Sequence, residues 1–173
     1  ELVRGKTMDQ IWRGRMDRHQ QALPLSAVAH AAYQLAHALS HAHGQGVIHG
    51  EVHPANVIVD EASGAKGTIK LAGFGGGGAA GAGALPYLSP EQARGEAPSA
   101  ATDVYQLGAL LFVLATGRLP YESAGPEEMR ERLAAVGETA RVQPERLGLL
   151  STVQEANLNE IVPLVRLASE VGA

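Results

Sequence analysis

No cysteine occurs among the 173 residues. Disulfides, thiol nucleophiles and cysteine-ligated zinc are therefore excluded, and the composition fits a reducing compartment. An excess of positive charge is missing too: 14 Lys and Arg stand against 18 Asp and Glu, for a formal net charge of -4. That balance does not favour nucleic acid or an anionic membrane surface as partner. Long apolar runs are also lacking. The longest, Ala109 to Ala115, falls far short of the roughly 20 residues that cross a bilayer, so no direct membrane insertion is expected. The chain opens on charged residues, and no signal peptide is expected there. One absence is local. Between Phe74 and Leu88 there is no serine or threonine, and residues 75–84 are only glycine and alanine.

What is present suffices for one folded domain. Hydrophobic residues make up 45% and charged residues 18%, a globular rather than a disordered balance. Residues 8–18 read as a short helix. Pro24-Leu25-Ser26 marks a second helix start, with Ser26 as its expected N-cap. From Ala27 to Ala42 apolar residues recur at helical spacing, at Val28, Ala32, Leu35 and Leu39, and Gly44-Gln45-Gly46 ends the run. Val47-Ile48 and Val57-Ile58-Val59 read as short strands, and residues 60–64 as a turn into a third at Thr68-Ile69-Lys70-Leu71. Leu107 to Ala115 is apolar on all sides and predicts a buried helix. Pro126-Glu127-Glu128 opens another, with acids in its first turn. Residues 137–150 read as loop, and Val153 to Val171 as a last helix. The sum is mainly α with a small β patch.

Two stretches carry the chemistry. The first is His49-Gly50-Glu51-Val52-His53-Pro54-Ala55-Asn56, and the second is Ala72-Gly73-Phe74-Gly75. They resemble the His-Arg-Asp-x-Lys-Pro-x-Asn catalytic loop and the Asp-Phe-Gly motif of protein kinases. The resemblance extends in order and spacing over roughly residues 1–122. Glu1-Leu2-Val3-Arg4-Gly5-Lys6-Thr7-Met8 resembles the hinge between the two lobes of bacterial eukaryotic-like serine/threonine kinases. Tyr87-Leu88-Ser89-Pro90-Glu91-Gln92-Ala93-Arg94-Gly95 resembles their Pro-Glu segment. Asp103-Val104-Tyr105-Gln106-Leu107-Gly108 through Thr116-Gly117-Arg118-Leu119-Pro120-Tyr121 resembles their central buried helix and its exit.

The resemblance implies the large C-terminal lobe of a kinase-like domain, with the N-terminal lobe absent from this chain. Residues 1–7 would be hinge, 8–122 the core of the lobe, and 123–173 its truncated C-terminal helices. A start inside the hinge leads to the expectation of a fragment, or of a first lobe upstream. The hydroxyl-orienting carboxylate falls at Glu51, one methylene longer than aspartate. The phosphate-contacting lysine falls at His53, and the metal-binding asparagine at Asn56, a weak metal site when alone. The main magnesium aspartate falls at Gly73, which has no side chain. The arginine that docks a phosphorylated segment falls at Gly50, and the threonine that closes the site falls at Ala84. Phosphoryl transfer needs positioned metal, an oriented hydroxyl and positive charge on the phosphate. All three are compromised, and the phosphorylation switch is gone with its receptor.

Other implied roles are architectural. His49 and Phe74 match the stacked residues that bind the loop to the lobe, and Asp103 the buried aspartate that holds the loop backbone. Glu91 matches a glutamate whose arginine partner lies beyond this chain; Arg166 is not given that role. The backbone of Glu1 and Val3 matches the adenine-bonding edge, and Met8 and Ile58 the apolar floor beneath adenine. The resemblance thus implies ATP bound weakly if at all, and no magnesium.

Two other motifs are present in part. Gly76-Gly77-Gly78-Ala79-Ala80-Gly81 satisfies G-x-G-x-x-G, but a dinucleotide site needs a helix next, and Pro86 and a loop follow. His37 and His41 have the i,i+4 spacing of a ligand pair, but zinc needs a third ligand and His30 is two turns away. The expected function is a pseudokinase lobe acting as a protein-binding or allosteric module, through the helices after Pro126. It would lie on the cytoplasmic side, tethered or not by a segment outside this chain. Two alternatives stay open: a weakly active serine/threonine kinase using Glu51 and Asn56, and a kinase-domain fragment without function.

Overall fold

The computed structural model describes residues 5–16, 22–60, 67–75, 83–120, 127–128, 130–131 and 133–135. Among them, helices dominate and one antiparallel three-stranded sheet accompanies them. The sheet is β1 (Gly5–Thr7), β2 (Val57–Asp60) and β3 (Thr68–Leu71), in the order β1-β2-β3. Val57 faces Leu71 and Asp60 faces Thr68 across the second pair, and Thr7 faces Ile58 across the first. The helices are α1 (Met8–Met16), α2 (Leu25–Gly44), α3 (Pro90–Ala93) and α4 (Ala100–Thr116), with 3-10 turns at Pro54–Asn56 and Leu85–Tyr87.

Helix α1 starts directly from β1 through a reciprocal cap. The Thr7 hydroxyl accepts from Gln10 N at 3.2 Å, and Gln10 Oε1 accepts from Thr7 N at 3.0 Å, satisfying donors that a helix start leaves open. The buried residues of α2 include Val28, Ala32, Leu35 and Leu39, spaced three or four apart so that one face meets the core. Val28, Leu35 and Leu39 join Leu107, Leu110, Val113 and Leu114 of α4, with Met8, Val52 and Val57, in one apolar cluster. Helix α2 also props the sheet: Gln34 Oε1 accepts from Ile69 N at 2.8 Å.

Some expectations are corrected. Helix α2 begins at Leu25, and Pro24 rather than Ser26 is the N-cap. Its carbonyl accepts from Ala27 N and Val28 N, so the helix starts two residues earlier and without a side-chain cap. Val47-Ile48 is extended but is no strand, since Val47 N turns back to the Ala42 carbonyl. Helix α4, Ala100–Thr116, begins seven residues before the predicted Leu107, while α1 is described over Met8–Met16 and residues 17–18 lie outside the described residues. The residues at 127–128, 130–131 and 133–135 are helical, and Leu133 is fully buried against Leu88 and Tyr105. The expectations for residues 137–150 and 153–171 lie outside the described residues, as does most of the Gly/Ala segment.

The chain leaving α2 is anchored by one acidic side chain. Asp103 on α4 is fully buried. Its Oδ1 accepts from Gly50 N at 2.6 Å, and its Oδ2 from His49 N at 2.9 Å and from His43 Nε2 at 2.7 Å. A buried carboxylate is tolerable only with such partners. Truncation leaves those donors unpaired, so Asp103→Ala is expected to lose about 3–5 kcal/mol. Glu51→Ala, whose side chain has no hydrogen bond among the described residues, is expected to stay within about 0.5 kcal/mol. Urea melts of the two variants against the parent chain check the difference; equal midpoints would contradict it. In the core, Leu39→Ala should cost about 2–5 kcal/mol by the same measurement, because Leu39 is wholly buried between the helices.

Candidate functional site

The segment from His49 to Asn56 runs from the end of α2 to the start of β2 as a loop closed by a 3-10 turn. Its anchor at Asp103 fixes the backbone at its start. His49 fixes it to the neighbouring segment. The His49 Nε2–H donates to the Ala72 carbonyl at 2.9 Å, and its Nδ1 accepts from Glu51 N at 3.1 Å. These two bonds require a neutral ring with its proton on Nε2. The same ring lies 4.5 Å, centroid to centroid, from Phe74. Phe74 nonetheless stays 42% exposed, so the stack exists without the burial implied for a core residue; no described side chain covers its outer face.

Asn56 closes the other end. Its Nδ2 donates to the Glu51 carbonyl at 2.9 Å and to His53 Nε2 at 3.1 Å. His53 therefore accepts at Nε2 and is held neutral. Burial lowers its pKa from 6.5, and the nearby Glu51 and Asp9 carboxylates only partly oppose that shift. A neutral imidazole supplies no fixed positive charge for a phosphate. Burial likewise raises the Tyr87 phenol far above its ordinary value, so it remains a neutral hydroxyl.

Gly73 sits beside Asn56. Its φ is +86, in the left-handed region, and a Cβ built there would lie 3.0 Å from the Asn56 amide atoms. Magnesium wants several hard oxygen ligands, usually carboxylates with waters. Here Gly73 offers no side-chain oxygen, and Asn56 offers a single neutral amide oxygen, its Nδ2 being turned to the Glu51 carbonyl and His53. Among the described residues no three His, Cys, Asp or Glu side chains are grouped to hold an ion. The residues present do not fit a magnesium site.

Glu51 and His53 open instead onto a cleft of about 370 Å³, lined also by Ala84, Tyr87, Gln92, Glu96 and Arg130 among others. The structure thus brings together Glu51, His53 and the segment after Gly83. Met8 and Ile58 are elsewhere: Met8 is buried in the core cluster and Ile58 pairs with Thr7 in the sheet. Neither lines this cleft, and Glu1 and Val3 lie outside the described residues. Glu91 has a partner that was not expected, since its Oε1 accepts from the Thr102 hydroxyl at 2.6 Å.

Two residues of the site, Gln92 and Gln106, escaped sequence reasoning. Gln92 and Gln106 both donate to the Gly50 carbonyl, at 2.8 and 3.0 Å, and His43 bonds Asp103. A signal existed for each glutamine. Ser89-x-x-Gln92 has capping-box spacing, and the box is formed. Gln106 is a polar residue three positions after Asp103 at the edge of an apolar run, and therefore on the same helix face.

Comparison with known proteins agrees with this arrangement. The protein kinase domain model matches residues 1–159. Serine/threonine-protein kinase PrkC of Bacillus subtilis is 36% identical over 99 residues, covering 51% of this chain and 15% of that protein. A probable serine/threonine-protein kinase of Clostridium acetobutylicum is 31% identical over 136 residues, covering 73% of this chain and 19% of that protein. A serine/threonine-protein kinase of Myxococcus xanthus is 34% identical over 137 residues, covering 71% of this chain and 24% of that protein. The chain therefore spans a quarter or less of the length of these relatives. With its loop, its Phe-Gly segment and its buried aspartate in kinase order, the chain belongs to the protein kinase domain family, among the bacterial eukaryotic-like serine/threonine kinases.

Proposed function

We propose that this chain is the large, helical lobe of a kinase domain that has lost phosphoryl transfer, a pseudokinase lobe that works as a protein-binding or allosteric module. Kinases in general use ATP with magnesium. The observation that carries the reading is Gly73. Where the resemblance places the metal carboxylate there is only a backbone in the left-handed region, with the Asn56 amide 3.0 Å from where a Cβ would stand. The neutral His53 adds to it, since it cannot replace a lysine's charge. A partner would be a protein engaging the face around Arg130 and the helical residues after Pro126, which is fold-level analogy.

The alternative of a weakly active kinase has one observation in its favour. Glu51 lines the cleft and its carboxylate is not hydrogen-bonded among the described residues, so it is free to orient a hydroxyl. Radiolabelled ATP, with magnesium or manganese and a generic protein substrate, separates the two readings in a protein that carries both lobes. Incorporation equal to that of a Glu51→Ala variant is expected. Labelling that depends on Glu51 would establish the alternative.

Nucleotide binding gives a second expectation. Without a carboxylate at Gly73 to bridge metal and phosphates, ATP is expected to bind weakly and with little help from magnesium. Calorimetry of the two-lobe protein with and without magnesium measures this. A tightening by magnesium of more than about tenfold, or 1.4 kcal/mol, would reveal metal ligation and overturn the assignment.

A further inference from the structure

Glu51 sits on a backbone whose polar groups are all held by side chains. Gly50 N donates to Asp103 Oδ1. The Gly50 carbonyl accepts twice, from Gln92 Nε2 at 2.8 Å and from Gln106 Nε2 at 3.0 Å. Glu51 N donates to His49 Nδ1, and the Glu51 carbonyl accepts from Asn56 Nδ2. Val52 N donates to Gln106 Oε1 at 2.7 Å. Five consecutive main-chain groups thus end on side chains from three separate parts of the fold. A loop so satisfied has little freedom to take a second conformation without leaving buried donors unpaired.

The two glutamines form the closing element. Gln106 is 4% exposed and uses both ends of its amide on the loop. Its Nε2 also donates to Gln92 Oε1 at 2.9 Å. Gln92 Oε1 accepts in addition from Ser89 N at 3.2 Å, and Gln92 N donates to the Ser89 hydroxyl at 3.3 Å. The chain of bonds therefore runs from Val52, through Gln106 and Gln92, to the cap of α3. It joins the loop floor to the segment that follows Ala84, which forms the opposite wall of the cleft. Gly50 permits this geometry: its φ is +76, and a Cβ there would stand 3.3 Å from the Pro98 ring.

We infer that Gln92 and Gln106 are positioning residues, a paired amide latch that fixes Glu51 and the cleft walls in one arrangement without any phosphorylated side chain. The usual receptor arginine is replaced by Gly50, and Phe74 to Leu88 holds no serine or threonine. The latch supplies the connection between loop and segment from uncharged groups that no kinase or phosphatase can switch. The inference does not depend on whether the chain transfers phosphate.

Hydrogen exchange of the full chain, resolved at single amides, tests it. In the parent chain the Val52 amide is expected to exchange slowly. Gln92→Leu leaves Val52's own acceptor in place, yet it frees the Gln106 amide from one of its anchors. If the pair works as one latch, Val52 exchange should rise by tenfold or more in Gln92→Leu, while the amides of Leu35 and Leu39 in α2 stay unchanged. Gln106→Glu keeps an acceptor for Val52 N but removes the donor to Gly50 and Gln92, and it should accelerate the Ser89 amide by a similar factor. Exchange of Val52 within twofold of the parent in Gln92→Leu would overturn the latch and leave two independent local bonds. If Gln106→Glu does not fold, the half-buried Gln92 variant decides alone.

Discussion

A single carboxylate without water contact organises the centre of this protein. Asp103 projects from the most apolar of the described helices and receives two main-chain N–H groups and one imidazole. Left unpaired, it would be among the most destabilising groups a core can contain. Paired, it specifies where the His49–Gly50 peptide must lie, because no other described side chain offers two acceptors at that spot. The direction of everything downstream follows: the ring of His49, the turn at Pro54–Asn56, and the register in which β2 meets its neighbours. The apolar contacts between α2 and α4 supply the bulk of the stabilisation, but they are tolerant of small displacements. The carboxylate is not, and it converts a sticky pair of helices into a platform with one defined loop.

That platform can be considered apart from the phosphate chemistry of the family. Backbone-directed residues such as Asp103, His49 and Asn56 are retained together with their geometry. Side chains that would act on a phosphate are replaced by glycine or by a neutral imidazole. At both positions where glycine stands in place of a family side chain, Gly50 and Gly73, the backbone is left-handed, a conformation that glycine takes without strain. The neutral state of His53 has the same flavour: burial and the Asn56 amide favour it, and the site gives no net reason for the ring to charge.

The legibility of the sequence followed the range of the interaction concerned. Helix α2 could be read from Val28, Leu35 and Leu39, because a helix face is a local pattern. Its first residue could not, because Ser26 advertises a cap while the Pro24 carbonyl forms the actual one. Val47-Ile48 has the composition of a strand, yet a strand exists only where another edge is available, and here the next two peptides bond Asp103. The positions of Glu51, His53, Asn56 and Gly73 were legible through ordered motifs. Gln92 and Gln106 were not, since an amide's role depends on what it meets 14 residues or more away. The exposure of Phe74 and the bond from Thr102 to Glu91 were invisible for the same reason.

The crowding at Gly73 constrains what that position can hold. The space a Cβ would enter is bordered by an amide with two bonds to keep. A substitution of Gly73 by aspartate would not simply add a carboxylate. The neighbour would have to give by a few tenths of an ångström, straining its bonds to the Glu51 carbonyl and to His53 together. Placing a metal ligand at Gly73 therefore depends on more than one position, because Asn56 would have to be released from its two bonds at the same time.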